Sequence, residues 1–253
     1  MFNLCMSECE RMMNKKFTIF TLILFPIILL FLLFNLQVGQ YDYDHYTKIN
    51  SLNFSVFFIS KLFFVLNMIL IPIFTISSLN GEYTTGRLRM VAIRPNKLIN
   101  ILISKWMILF LTIVGIVLVF WLLGLVGKML SPHVTETTFY FKNGLTYQSK
   151  AAFFYELKYY MFIFMIMVTS LGLSSLFSLL FPNVIMSYIV YLVGVTSLMY
   201  IKEEFALFIV GDKFLFDYFH EDNVAKIALF FCIIMICSFS LSLIIWKKRK
   251  WMK

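Results

Sequence analysis

The sequence predicts an all-α polytopic membrane protein with six transmembrane helices and both termini on one side. Three observations predict it: a composition too apolar for a soluble domain, six separate runs long enough to span a bilayer, and basic residues gathered on one side. Of the 253 residues, 61% are hydrophobic and 14% are charged. The mean hydropathy is +0.87. Soluble domains hold roughly 45–50% apolar and about 25% charged residues.

A bilayer core takes about 20 apolar residues per helix. The predicted spans are Phe17–Val38, Phe54–Leu79, Trp106–Gly127, Tyr159–Phe181, Val184–Ile201 and Ala225–Trp246. The first run is longer than the apolar region of a signal peptide, and no small-x-small cleavage site follows Val38, so it reads as a span. Phe181-Pro182-Asn183 separates the fourth and fifth spans as a tight turn, because proline and asparagine both favour one. Pro26 and Pro72 can kink their helices, with neighbouring helices re-satisfying the freed carbonyls.

Charge orients the bundle. With six spans, 13 of the 22 basic residues share the side of the termini, among them Arg11, Lys105 and Lys250. The other nine spread over longer loops, together with ten of the 13 acids. This predicts cytoplasmic termini and a plasma-membrane location. The net charge of +9 is then a topology signal. Nucleic acid is excluded as a partner, since no soluble domain is predicted to carry a basic face. No disulfide framework is expected either: Cys5 and Cys9 fall on the basic side, and Cys232 and Cys237 fall inside the last span. A metal site at Cys5 and Cys9 lacks two further ligands.

The longest predicted cytoplasmic loop runs from Asn80 to Lys105 and contains GEYTTGRLRMVAIRP. Its opening resembles a phosphate-binding loop, G-x-x-x-x-G-K-[ST], but Arg87 stands for the lysine and Leu88 for the hydroxyl that holds Mg²⁺. Leucine cannot ligate a hard cation, and what precedes the loop is an apolar span. No nucleotide site is expected in this chain. Leu88, Val91 and Ala92 recur at helical spacing with Arg87, Arg89 and Arg94 around them, and Pro95 ends that turn. A second helical stretch, with Leu98, Ile101 and Leu102, leads through Lys105 into the third span. Two readings stand: a basic amphipathic helix lying on anionic lipid, or a docking knob for a cytoplasmic partner.

The spacing of Glu82, Gly86, Leu88, Pro95 and Lys105 resembles the loop after the second span of ABC-2-type transporter permeases. The resemblance extends in outline over the whole chain: a short amphipathic elbow (residues 1–16), six spans, and both termini inside. The form IRPNKLINILISK is similar to permeases of low-GC Gram-positive bacteria that export, or give immunity to, antimicrobial or amphipathic peptides, the phenol-soluble-modulin exporters among them. The family commonly has Thr after the glycine, where this chain has Arg87. The resemblance implies a single permease domain whose coupling helix seats in a groove of a separate ATPase subunit. Glu82, Tyr83, Gly86, Arg87, Leu88, Arg89, Val91, Ala92, Arg94 and Pro95 would be the docking residues. ATP and Mg²⁺ would belong to that ATPase, with no cofactor bound by this chain, and a second permease would complete the pathway as a homodimer or heterodimer. The alternative is a non-transporting membrane sensor or assembly factor that recruits a soluble partner through the same loop.

The predicted external loop Lys202–Asn223 mixes apolar runs with acids. Phe205–Val210 is too short to span, so its side chains must bury at the interface or dip back between helices. The resemblance implies short re-entrant helices here. Glu203, Glu204, Phe208, Asp212, Phe216 and His220 are the candidate external gate, against the alternative of an interfacial anchor with an acidic rim.

Enzyme readings fail on residue types. Glu203-Glu204 would fit the E-E-x-x-x-R motif of some intramembrane proteases, but Phe208 stands where arginine is needed. Ser170, Ser174 and Ser178 lack a histidine partner and read as small-x-x-x-small packing, within the chain or at a dimer seam. Lys61, in the second run, either snorkels to the headgroups or lines a pathway.

Overall fold

The computed structural model describes residues 2–15, 27–29, 41–42, 47–84, 98–131, 133–139, 145–209, 211–220 and 224–248. Helix α1 covers Phe2–Met13. Two-residue strands β1 (Tyr41–Asp42) and β2 (Thr47–Lys48) pair antiparallel. Helix α2 (Phe54–Phe64) passes through a π-turn, Val65–Leu70, into α3 (Ile71–Thr84). Helix α4 is Leu98–Leu130. Strands β3 (Glu136–Thr137) and β4 (Tyr147–Gln148) form a second antiparallel pair. Helix α5 (Ser149–Leu180) and helix α6 (Val184–Ile201) follow. A short 3₁₀ segment (Glu203–Phe208), helix α7 (Gly211–His220) and helix α8 (Val224–Lys248) close the order.

Among the described residues, five helical stretches are long and apolar enough to cross a membrane: Phe54–Gly81, Ile99–Leu130, Ser149–Leu180, Val184–Ile201 and Val224–Lys248. The chain is therefore a membrane-embedded helical protein. Of the first predicted span only residues 27–29 are described, helical and with Leu29 buried in the main core. The rest of that run lies outside the described residues.

The two central spans are Phe54–Gly81 and Ser149–Leu180, mostly buried by their neighbours, while less than a third of each of the other three is buried. Their outward side chains are apolar, including Leu111, Leu118 and Leu122 on α4 and Ile233 and Ile236 on α8. That is the surface lipid requires. Helix α5 packs against α8, α3 and α6, and α2 packs against α4. Two glycines allow these approaches. A Cβ on Gly172 would run into Ser238 Oγ across the α5–α8 seam, and one on Gly127 would run into the Phe54 ring across α2–α4. Ser175 and Ser242 add a hydroxyl pair at 3.2 Å. Ser170, Ser174 and Ser178 are all buried inside this one chain, so the serine row packs within the molecule.

Two helices differ from the lengths of their apolar runs. Helix α4 begins at Leu98, ahead of the apolar run at Trp106, as the helical stretch through Leu98, Ile101, Leu102 and Lys105 predicts, and Lys105 is buried and paired within it. Helix α5 begins ten residues before Tyr159, at Ser149, because Glu156 is buried against Lys128 of α4 and extends the helix beyond the apolar stretch. Helix α6 coincides with its run, and Asn183 starts it by accepting from Ile185 N–H at 3.1 Å.

Two polar assemblies cap the bundle. At the end opposite α1, Asn50 Nδ2 donates to Thr137 Oγ1 at 2.8 Å, and Asn53 Nδ2 donates to the Lys48 and Thr138 carbonyls. At the α1 end, Asn80 Nδ2 donates to Phe181 O at 2.7 Å and to Ser187 Oγ at 2.9 Å. Leu79, Leu102, Leu179 and Trp246 cluster beside it.

Candidate functional site

Two regions carry the residues that the sequence singles out: the base of the loop between α3 and α4, and the segment between α6 and α8. Residues 85–97 lie outside the described residues. This range includes Gly86, Arg87, Leu88, Arg89, Val91, Ala92, Arg94 and Pro95. Glu82 and Tyr83 belong to the last turn of α3, and their side chains also lie outside the described residues.

The base of the loop is braced from three directions. Lys105 Nζ lies 2.9 Å from Glu8 Oε2 and donates to Ser78 O at 3.2 Å. Glu8 also pairs with Arg11, three residues along α1. Lys15, just past α1, donates to Ser77 O at 3.2 Å. Both lysines thus reach carbonyls in the C-terminal half of α3. Lys105 and Glu8 are 1% and 4% exposed, so neither has water as an alternative partner. A buried pair of this kind holds through mutual attraction and completed hydrogen bonds. The consequence is mechanical: α1, α3 and α4 are tied together where the loop leaves and returns.

At the opposite end, the segment after α6 turns inward. Phe205, Ala206, Leu207 and Phe208 are all buried. Phe208 packs on Phe205 and Phe231, with ring centroids at 6.1 Å and 5.4 Å. On α7, Leu215, Phe216 and Phe219 lie on one helical face and are buried. Phe216 stacks on Tyr159 at 5.5 Å and meets Phe57 of α2 at 6.1 Å. Lys158 Nζ sits 4.5 Å from the Phe219 ring centroid, a cation–π contact.

The six gate candidates therefore separate by chemistry. Phe208 and Phe216 enter the core in neighbouring aromatic clusters, Glu203 is exposed and Glu204 is partly buried. Asp212 and His220 belong to α7, with side chains outside the described residues. Lys61 is exposed on α2.

Three groups at this end escaped the sequence reading. Asn67, in the π-turn, donates from Nδ2 to Phe208 O at 2.7 Å. Tyr188 and Tyr191 of α6 address the carbonyls of that π-turn. The available signal was Asn67 itself, the one amide in the second apolar run, since a polar group deep in a span needs a partner. At the α1 end, Glu8 counts in the sequence only as one of three acids on the basic side, and its pairing with Lys105 was not foreseen.

Among the described residues, no group of three or more His, Cys, Asp or Glu gathers to hold a metal ion. No protein-family model matches the chain, and no curated protein matches it.

Proposed function

We propose that this chain is the permease subunit of an ATP-driven ABC exporter. It pairs with a second permease and with a separate cytoplasmic ATPase, and moves a hydrophobic or amphipathic substrate of the antimicrobial-peptide or peptide-toxin class outward. In this reading the chain has six spans, lies in the plasma membrane and keeps both termini in the cytoplasm. ATP and Mg²⁺ are held by the ATPase.

The observation that carries the proposal is the brace at Lys105. A coupling loop is useful only if a push on it moves whole helices rather than bending at its own base. The Lys105–Glu8 pair and the Lys105 bond to Ser78 O join α1, α3 and α4 at that base. Force delivered at residues 85–97 would then pass along α3 toward the π-turn and along α4 through the bundle. The motif resemblance at Glu82, Gly86, Leu88, Pro95 and Lys105 supports the same reading.

The test is affinity purification of the tagged chain from membranes of its native host, followed by reconstitution of whatever ATPase co-elutes. The expected result is an ATPase subunit with a complete phosphate-binding loop, and ATP-dependent accumulation of an amphipathic peptide in inside-out vesicles. Recovery of the intact chain with no ATPase would overturn the reading.

A further inference from the structure

Among the described residues, only Val65–Leu70 winds as a π-helix. A π-turn shifts the hydrogen-bond register and leaves carbonyls poorly matched to their own helix. Here side chains from two other helices address them. Ser170 Oγ of α5 donates to Asn67 O at 3.0 Å, and the Tyr191 hydroxyl of α6 lies 3.4 Å from the same carbonyl. The Tyr188 hydroxyl donates to Met68 O at 3.3 Å. These two carbonyls of the π-turn are thereby satisfied without the Asn67 side chain.

That side chain does something else. Asn67 is fully buried, and its Nδ2 reaches Phe208 O in the 3₁₀ segment at 2.7 Å. Its Oδ1 is buried with no partner. An unpartnered amide oxygen in an apolar core is unfavourable. Leucine at position 67 would remove that cost and still fill the space. The asparagine therefore weakens the core locally in exchange for one bond, and that bond goes to a segment that does not cross the membrane.

We propose that Asn67 is a positioning residue, a latch that holds the segment Glu203–Phe208 inside the bundle and lets it out when the π-turn moves. Its use in an export cycle rests on the transport reading above; the latch itself does not. Asn67 precedes Ser77 by ten residues on the α3 side of the turn, about 15 Å at helical rise. The α3 carbonyls anchored by Lys15 and Lys105 and the amide that holds Phe208 are thus two ends of one short lever. The π-turn is the point on that lever where the register can shift without breaking a regular helix.

The latch can be read without transport. Cys5, Cys9, Cys232 and Cys237 are replaced by serine, and Leu207, which is fully buried, is replaced by cysteine. The purified chain in lipid nanodiscs, with both faces open to solvent, is then labelled with a water-soluble maleimide. Asn67→Leu removes the donor at similar size and should raise the labelling rate about tenfold, the factor that corresponds to about 1.4 kcal/mol. Tyr188→Phe removes a bond to the same π-turn without touching the segment, and should stay within about twofold of the parent. Asn67→Ala carries the same expectation as Asn67→Leu if the leucine variant does not insert. An unchanged rate in the Asn67 variants overturns the latch, and so does an equal rise in Tyr188→Phe, which would mean general loosening of the core. Failure to recover an ATPase would leave this result standing, and failure of the latch would leave the transport reading standing.

Discussion

Lys105 and Glu8, 97 positions apart in the sequence, meet at 2.9 Å, both almost wholly shielded from solvent. The pair turns α1 from a separate amphipathic helix into part of the helical bundle. It also sets the stiffness of the loop base.

Glu8→Gln should strongly destabilise the protein, because it takes the Glu8 carboxylate away from the buried Lys105 ammonium. Breaking a buried pair from one side costs about 3–5 kcal/mol. The double variant Glu8→Leu with Lys105→Met should recover most of that loss, since apolar replacement of a whole buried pair is often neutral. Thermal unfolding of the purified chain in detergent measures both. Equal midpoints for the parent and Glu8→Gln would show that the pair contributes nothing.

The loop itself separates the docking reading from the lipid-anchor reading. Exposed rim charges are each worth roughly 0–1 kcal/mol, while buried apolar contacts at an interface centre often reach about 2 kcal/mol. Leu88→Asp should therefore strip the ATPase from the membrane, and Arg89→Ala should only weaken association, more at low salt than at high. Pull-down of the ATPase with each variant, after insertion is checked, decides the ranking. A lipid anchor predicts the opposite order.

Topology has a direct readout. Cysteines placed at Lys142 and Asp212 should react with an impermeant thiol reagent on intact cells, and cysteines at Arg89 and Lys250 should react only after lysis. Labelling of position 89 from outside would end the six-span, termini-inside arrangement.

Helix approach is tested at Gly172. A side chain there runs into Ser238 Oγ, so Gly172→Val should push α5 and α8 apart and lower the unfolding midpoint. Overpacking of this kind costs about 1–3 kcal/mol. Gly115, on α4, has nothing within 4 Å of an added Cβ. Gly115→Ala should leave the midpoint unchanged or raise it, since alanine is the better helix former. A Gly172 variant as stable as the Gly115 one would refute the close seam.

Much of the architecture was legible along the chain. Apolar runs mark where the described spans lie, and Phe181-Pro182-Asn183 marks the break between α5 and α6. Helix ends were less legible where a charge sits inside a helix instead of ending it. Glu156 looks like a loop residue until its partner Lys128 is known, and Lys105, though it reads as helical, gives no sign that it is buried against Glu8. The site was harder still. Asn67 and Phe208 are 141 residues apart, and nothing local to either announces the other.

What the sequence determined by itself was therefore the five apolar helices among the described residues and the turn that splits the pair α5–α6, because burial in a bilayer depends on the composition of each run. What only the tertiary structure decided was which faces look inward, where Glu8 and Lys105 go, and that Phe208 hangs from Asn67. Lipid accepts any apolar face as readily as another helix does, so hydropathy cannot choose neighbours. Ions and amides in a low-dielectric interior do choose, because each must find its own partner or bear the cost of lacking one.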